Sequence, residues 1–144
     1  LQLFEKSNLK FIVLNTFSSL LVPIPISEQK WPEGTPPLVT TRTMTFNQDA
    51  FIRECIDGIL MQKTTFPVQI LIHDDASTDG TVAILQEYEE KYPGVIQVFY
   101  QPFNTHTSKN KHQLRGDFCN LINGKYIALC EGDDYWTVDD KLQR

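Results

Sequence analysis

Between residues 38 and 130 the apolar positions follow two rhythms in turn. Residues 38–45 are dense in β-branched side chains, including Val39, Thr40, Thr41 and Thr43, and predict a strand. Residues 48–62 put Ile52, Cys55, Ile56, Ile59 and Leu60 on one face, the spacing of an amphipathic helix with Asn47 as its N-cap. Phe66-Pro67 punctuates, and 68–73 is a short apolar run suited to a buried parallel strand. A second helix opens at Thr78-Asp79-Gly80-Thr81, capped by Thr78 or Asp79, with Val82, Leu85, Tyr88 and Tyr92 on its inner stripe and Pro93-Gly94 as its stop. A strand over 95–100, a polar loop over 101–110, a helix over 111–123 through Leu114, Phe118, Leu121 and Ile122, and a strand over 126–130 complete the pattern. Gly116 weakens the last helix, and Asn123-Gly124 ends it.

Strand and helix thus alternate three times before a final strand. That order predicts an α/β fold, a mainly parallel sheet with helices on both faces and right-handed crossovers. Ligands of such sheets bind outside the carboxyl ends of the strands. Three polar clusters fall there: Thr45-Phe46-Asn47, Asp74-Asp75, and Glu131-Gly132-Asp133-Asp134. All are expected on one edge of the sheet.

The first 36 residues break this rhythm. Residues 9–26 are mostly apolar, but Lys10, Asn15, Ser18 and Ser19 interrupt them and Pro23 and Pro25 break any helix. The run falls short of the ~20 apolar residues a span needs. A loosely packed extension is expected, followed by an extended linker at Trp31-Pro32-Glu33-Gly34-Thr35-Pro36-Pro37, with the domain proper at 37–144. Residues 141–144 read as the first turn of a helix, and the chain as a fragment of a longer protein.

With 144 residues, 41% hydrophobic and 22% charged, the composition is that of a soluble globular domain. A net charge of −5 argues against general nucleic-acid binding, which wants a basic face. A nucleotide is not excluded, because a metal and one or two cations can neutralise a diphosphate. Cys55, Cys119 and Cys130 show no CxxC spacing and read as buried free thiols in a reducing compartment.

The strand-end carboxylates carry the chemistry. Asp133 and Asp134 repel each other and are held together most easily by a counter-charge. Hard oxygens with no His or Cys cluster favour Mg²⁺ or Mn²⁺ over zinc. Such an ion would bridge a diphosphate and stabilise the charge that builds on it. Taken alone, the pair reads first as an ordinary cap of the turn or helix that follows. Asp75 adds weight, since a carboxylate at a strand tip can accept from a base N–H or a ribose hydroxyl. His73 reads as a core or edge histidine, and His106 and His112 as solvated. Lys109, Lys111 and Arg115 could reach a diphosphate or form a solvated basic face, and Tyr135 and Trp136 either pack under the site or stack on a ligand. Neither GxGxxG nor GxxxxGK[ST] occurs, so no glycine cradle competes with a metal for the phosphates.

Residues 38–144 resemble the N-terminal part of family-2 inverting glycosyltransferases with the GT-A fold, particularly bacterial members that build surface polysaccharides. The resemblance rests on residues 43–47, 72–81 and 124–136, in order and at the family's spacing. It implies a Rossmann-like half-domain that binds a nucleotide-sugar, with a lean toward UDP. It places Thr45 and Phe46 against the base and Asp75 as the carboxylate that reads it. Glu131-Gly132-Asp133 takes the Asp-X-Asp position, Glu replacing the first Asp, and Asp133 and Asp134 serve the metal and the ribose-diphosphate. The acceptor implied is a saccharide, free or lipid-linked, and the setting is the cytoplasm, with peripheral association of the parent at the inner membrane face allowed. The family's acceptor-activating carboxylate follows well after the metal motif and has no counterpart here, so the chain alone is expected to bind donor and transfer little. The rival reading is a catalytically inactive nucleotide-binding module. A nucleotidyltransferase would carry a basic, glycine-rich loop after the first strand, which Phe46-Asn47-Gln48 is not.

Overall fold

The structure, a computed structural model, describes residues 20–105 and 116–144. Its elements are β1 (Ile24–Pro25), a 3-10 turn (Ile26–Glu28), β2 (Val39–Thr45), α1 (Ile52–Leu60), β3 (Lys63–Thr64), β4 (Val68–Asp74), α2 (Thr81–Lys91), β5 (Ile96–Tyr100) and β6 (Tyr126–Leu129). Four of the strands form one sheet in the order β5-β4-β2-β6, every neighbouring pair parallel. β4 is the most buried, with Ile70, Leu71 and Ile72 all at 0% exposure, which is why its sequence is an unbroken apolar run.

Handedness sorts the helices. A right-handed crossover puts its helix on a face set by the direction of travel across the sheet. β2 to β4 to β5 runs one way, so α1 and α2 share a face. There Ile52, Ile56, Ile59 and Leu85 pack on Ile70 and Ile72. The return to β6 runs the other way, and its connection belongs on the opposite face. Residues 116–119 are helical there, and Phe118 is fully buried with its ring 5.0 Å from His73 and 6.1 Å from Phe99. Of the predicted third helix over 111–123, residues 111–115 lie outside the described residues, while 120–123 are turn and coil, so the helix stops at Cys119 rather than at Asn123.

The expected order of elements therefore holds, with further corrections at the element ends. The first helix begins at Ile52 rather than Gln48, because residues 48–51 form a turn in which the Phe51 and Ile52 N–H groups both donate to Gln48 O. Asn47 does not cap it. Its Oδ1 accepts instead from the Thr78 N–H at 2.7 Å, and α1 has no side-chain cap. Residues 24–31 also pack more firmly than a loose extension would. β1 pairs antiparallel with β3, Ile26 is 2% exposed, and the Gln29 amide donates to Ile24 O and Thr64 O. The remainder of the early apolar stretch, through residue 19, lies outside the described residues. Among the described residues no helix is long and apolar enough to cross a membrane.

Candidate functional site

The three polar clusters meet at one edge because backbone pairing continues past the strand ends. Thr45 O accepts from Asp75 N–H at 3.0 Å on one side of β2, and Met44 O accepts from Gly132 N–H at 3.0 Å on the other. β2 is where the strand order changes direction, since β4 and β5 follow on one flank and β6 on the other. Such a switch point opens a crevice at the carboxyl ends of the strands. Thr45 therefore sits between Asp75 and the acidic turn. Its hydroxyl, like Gln48 Oε1, is buried without a hydrogen-bond partner.

Two loops are laced together beneath this edge. Asn47 N–H donates to Ser77 Oγ, Gln48 N–H to Thr81 Oγ1, and Asp49 N–H to Asp79 Oδ2, while Asp49 Oδ2 accepts from Gly80 N–H. Asp79 Oδ1 also accepts from Thr81 N–H at 2.9 Å, but the N-cap of α2 is Gly80 and no side chain caps it, so neither Thr78 nor Asp79 is the expected cap. Desolvation opposes ionisation of Asp79, but the bonds from Thr81 and Asp49 outweigh it and hold the carboxyl below its ordinary pKa. Asn47 (φ 52°) and Ala76 (φ 60°) adopt left-handed backbone, which for alanine is strained. These bends turn both loops off the strands and leave Phe46 44% exposed at the rim.

The acidic turn is held at both ends. Asp134 N–H donates to Glu131 O at 2.9 Å, closing a turn over 131–134. The carbonyls at its two ends lie within reach of thiols: Cys55 Sγ is 3.4 Å from Glu131 O and Cys130 Sγ is 3.7 Å from Asp134 O. The contact with Cys130, together with burial, raises the Cys55 pKa, so that thiol keeps its proton and can donate. Beneath the turn, Gly132 leaves no room for a side chain. A Cβ there would lie 2.9 Å from Thr45 Cβ and 3.0 Å from Thr45 Oγ1, and would collide with Gln48 Oε1. Beyond the turn, Trp136 is buried on Gly58, whose added Cβ would meet the Trp136 backbone at 2.9 Å. The buried Gln62 amide donates to Gly58 O and Val138 O, and Lys63 N–H donates to Asp139 O. The packing thus fixes the turn from below and behind.

What the turn presents outward is carboxylate. Glu131, Asp133 and Asp134 are exposed, and none forms a salt bridge among the described residues. Among the described residues no three His, Cys, Asp or Glu side chains form a ready-made metal cage. Mg²⁺ and Mn²⁺ do not require one, because they take one or two carboxylates and fill the remaining positions with phosphate oxygens and water. The donor set present, hard oxygens without a paired cation, fits such an ion.

Asp75 is held by a loop that sequence reasoning did not select. Thr105 N–H donates to Asp75 Oδ1 at 2.7 Å, and Asn104 Nδ2 to Asp75 O at 3.4 Å. No side-chain pattern could have revealed a contact made by a backbone N–H. Asp74 points inward, 1% exposed, with Oδ2 accepting from Ser77 N–H. The two aromatic residues after the turn divide: Trp136 packs underneath, while Tyr135 is 57% exposed. His73 is a core residue, fully buried beside Gln101 Nε2 and Phe118. Cys55 and Cys130 are buried as expected, but Cys119 is exposed on the helical turn at 116–119, a correction to its reading as a core thiol. His106, Lys109, Lys111, His112 and Arg115 lie outside the described residues. A cleft of about 750 Å³ opens at the opposite, N-terminal edge of the sheet, bounded by Trp31, Val68, Ile96 and Asn123, and contains none of these carboxylates.

The family model described as Glycosyl transferase family 2 matches residues 43–144. An uncharacterised protein of Mycobacterium tuberculosis is 42% identical over 71% of the chain and 28% of its own length. The dTDP-rhamnosyl transferase RfbG of Shigella flexneri is 34% identical over 66% of the chain and 32% of its own length. The chain therefore spans less than a third of the length of each of these two relatives. Among solved structures, Staphylococcus aureus TarS 1–349 in complex with UDP superposes with a TM-score of 0.59 at 22% identity, covering 73% of this chain and 30% of that one. The mannosyltransferase PcManGT of Pyrobaculum calidifontis, in complex with GDP-Man and Mn²⁺, gives 0.59 at 23% identity, covering 96% and 38%. At such identities the likeness shows the fold, a Rossmann-like GT-A arrangement.

Proposed function

Because the chain belongs to glycosyl transferase family 2, we propose that it is the donor-binding part of an enzyme that transfers a sugar from a nucleotide diphosphate, with UDP the leading candidate, to a free or lipid-linked saccharide. Residues 37–144 form the donor domain, and 1–36 precede it as an extension of which 24–31 pack onto the fold. Thr45 and Phe46 lie along the base and Asp75 reads it. Glu131 and Asp133 face the ribose-diphosphate, and Asp133 and Asp134 hold Mg²⁺ or Mn²⁺. When bound, the ion offsets the negative charge of the diphosphate. The work takes place on the cytoplasmic side, where the parent can rest against the membrane surface. The observation that carries this reading is the pair of hydrogen bonds that sets Asp75 and Gly132 on either side of β2 at the switch point.

In the longer protein, transfer proceeds with inversion by direct displacement, which needs a base within hydrogen-bond reach of the acceptor hydroxyl. The carboxylates nearest the site already have other work. Asp74 is buried on Ser77, Asp79 is bonded to Thr81, and Asp75 is bonded to Thr105. The 144-residue chain, given UDP-sugar, Mn²⁺ and a saccharide acceptor, is therefore expected to release UDP no faster than the protein-free mixture. Rapid metal-dependent release would place a working base within these residues and overturn that part of the proposal.

A further inference from the structure

Two thiols lie beneath the acidic turn and take no part in the binding proposed above. Cys55 comes from the middle of α1 and Cys130 follows β6, and the fold sets their sulfurs 3.8 Å apart. Both are buried, whereas Cys119 is exposed on its own helical turn across the sheet. Each of the paired sulfurs also touches one end of the turn. Cys55 Sγ is 3.4 Å from Glu131 O, and Cys130 Sγ is 3.7 Å from Asp134 O. The backbone around them is fixed, with Cys55 N–H on Phe51 O at 3.1 Å and Cys130 N–H on Arg42 O at 3.2 Å.

We propose that this pair is a redox-modification site: a peroxide joins Cys55 to Cys130 in a disulfide, and the acidic turn then holds its metal-bound diphosphate less well. The second half rests on the donor reading above. Cys130 adjoins the exposed Glu131, which gives a small oxidant its approach. One thiol sulfur attacks peroxide oxygen, the O–O bond breaks, and a sulfenic acid and one water result. The second thiol attacks that sulfur, which forms the S–S bond and releases a second water. Side-chain rotation suffices to bring the sulfurs to about 2 Å. Neither sulfur then carries a proton, so both carbonyls lose the donor beneath them. The turn cannot resettle downward, because Gly132 already lies against Thr45 and Gln48. In a reducing compartment a disulfide of this kind is transient and sensing rather than structural.

The test treats the folded chain, carrying Cys119→Ser to prevent cross-linking between copies, with hydrogen peroxide, which is removed before measurement. Intact mass should fall by two hydrogens, and a non-reducing peptide map should join Cys55 to Cys130. Calorimetric titration with UDP and Mn²⁺ should show binding at least about threefold weaker than in the reduced chain, the scale of one or two lost hydrogen bonds. Dithiothreitol should restore it, which separates the disulfide from sulfoxides of Met44 and Met61 that a thiol does not reverse. Cys55→Ala and Cys130→Ala, whatever their starting affinities, should both be insensitive to peroxide. No link between the two residues in the folded chain, a link that forms only in urea, or a link that leaves UDP affinity unchanged would overturn the inference. If neither alanine variant folds, the peptide map and the reversal by dithiothreitol decide. A reduced chain that binds no UDP would instead sink the donor reading, and the peptide map alone then decides whether the disulfide site stands.

Discussion

Gly132→Ala is expected to abolish most metal-dependent donor binding without removing a single carboxylate. The new methyl group would meet Thr45 Cβ at 2.9 Å and collide with Gln48 Oε1. Thr45 sits at the end of the central strand, paired with Asp74 in register, and cannot yield. The acidic turn must lift instead, breaking the Gly132 N–H bond to Met44 O. Overpacking of this kind destabilises by about 1–3 kcal/mol, and Mg²⁺ in particular tolerates little departure from octahedral geometry. The variant should melt at a lower temperature and bind UDP with Mn²⁺ at least about tenfold more weakly, the loss of one charge-assisted contact or more. Wild-type affinity in this variant would mean that the placement of the turn does not matter to the ligand.

Asp133→Ala should separate binding from stability. The side chain is exposed and forms no salt bridge among the described residues, so removing it leaves the packing of Gly132, Trp136 and Gln62 intact. Its melting temperature should match that of the wild type, while Mn²⁺-dependent UDP binding falls by about tenfold or more. Any residual binding should no longer respond to the metal. The two variants together are informative, since one moves the carboxylates and the other deletes one. A drop in melting temperature for Asp133→Ala comparable to that of Gly132→Ala would assign the residue a structural role.

Much of this was legible in the sequence, for reasons that name its limits. The unbroken apolar run of β4 and the i, i+3, i+4 spacing of α1 reflect burial, and burial leaves a pattern in side chains. The rule that α/β sheets bind ligands at their carboxyl ends placed Thr45, Asp75 and Glu131-Gly132-Asp133-Asp134 on one edge, and the hydrogen bonds of Thr45 O and Met44 O hold them there. What escaped depends on partners distant in the chain. Asn47 reads as a helix cap by local rules, but Thr78 competes for its side chain and wins. The β1–β3 pair, two residues per strand, is too short to show a period. The thiols of Cys55 and Cys130 look independent until the fold brings them to 3.8 Å beneath the acidic turn. Thr105 acts through its backbone, which no side-chain pattern records.

Asp133 and Asp134 on this turn are expected to bind a nucleotide diphosphate through a divalent ion. Calorimetric titration of the chain with UDP, in the presence of Mn²⁺ and again with excess chelator, tests it most directly. Saturable binding with Mn²⁺ that disappears with chelator is the predicted result. UDP affinity indifferent to the metal, or no binding in either condition, would contradict it.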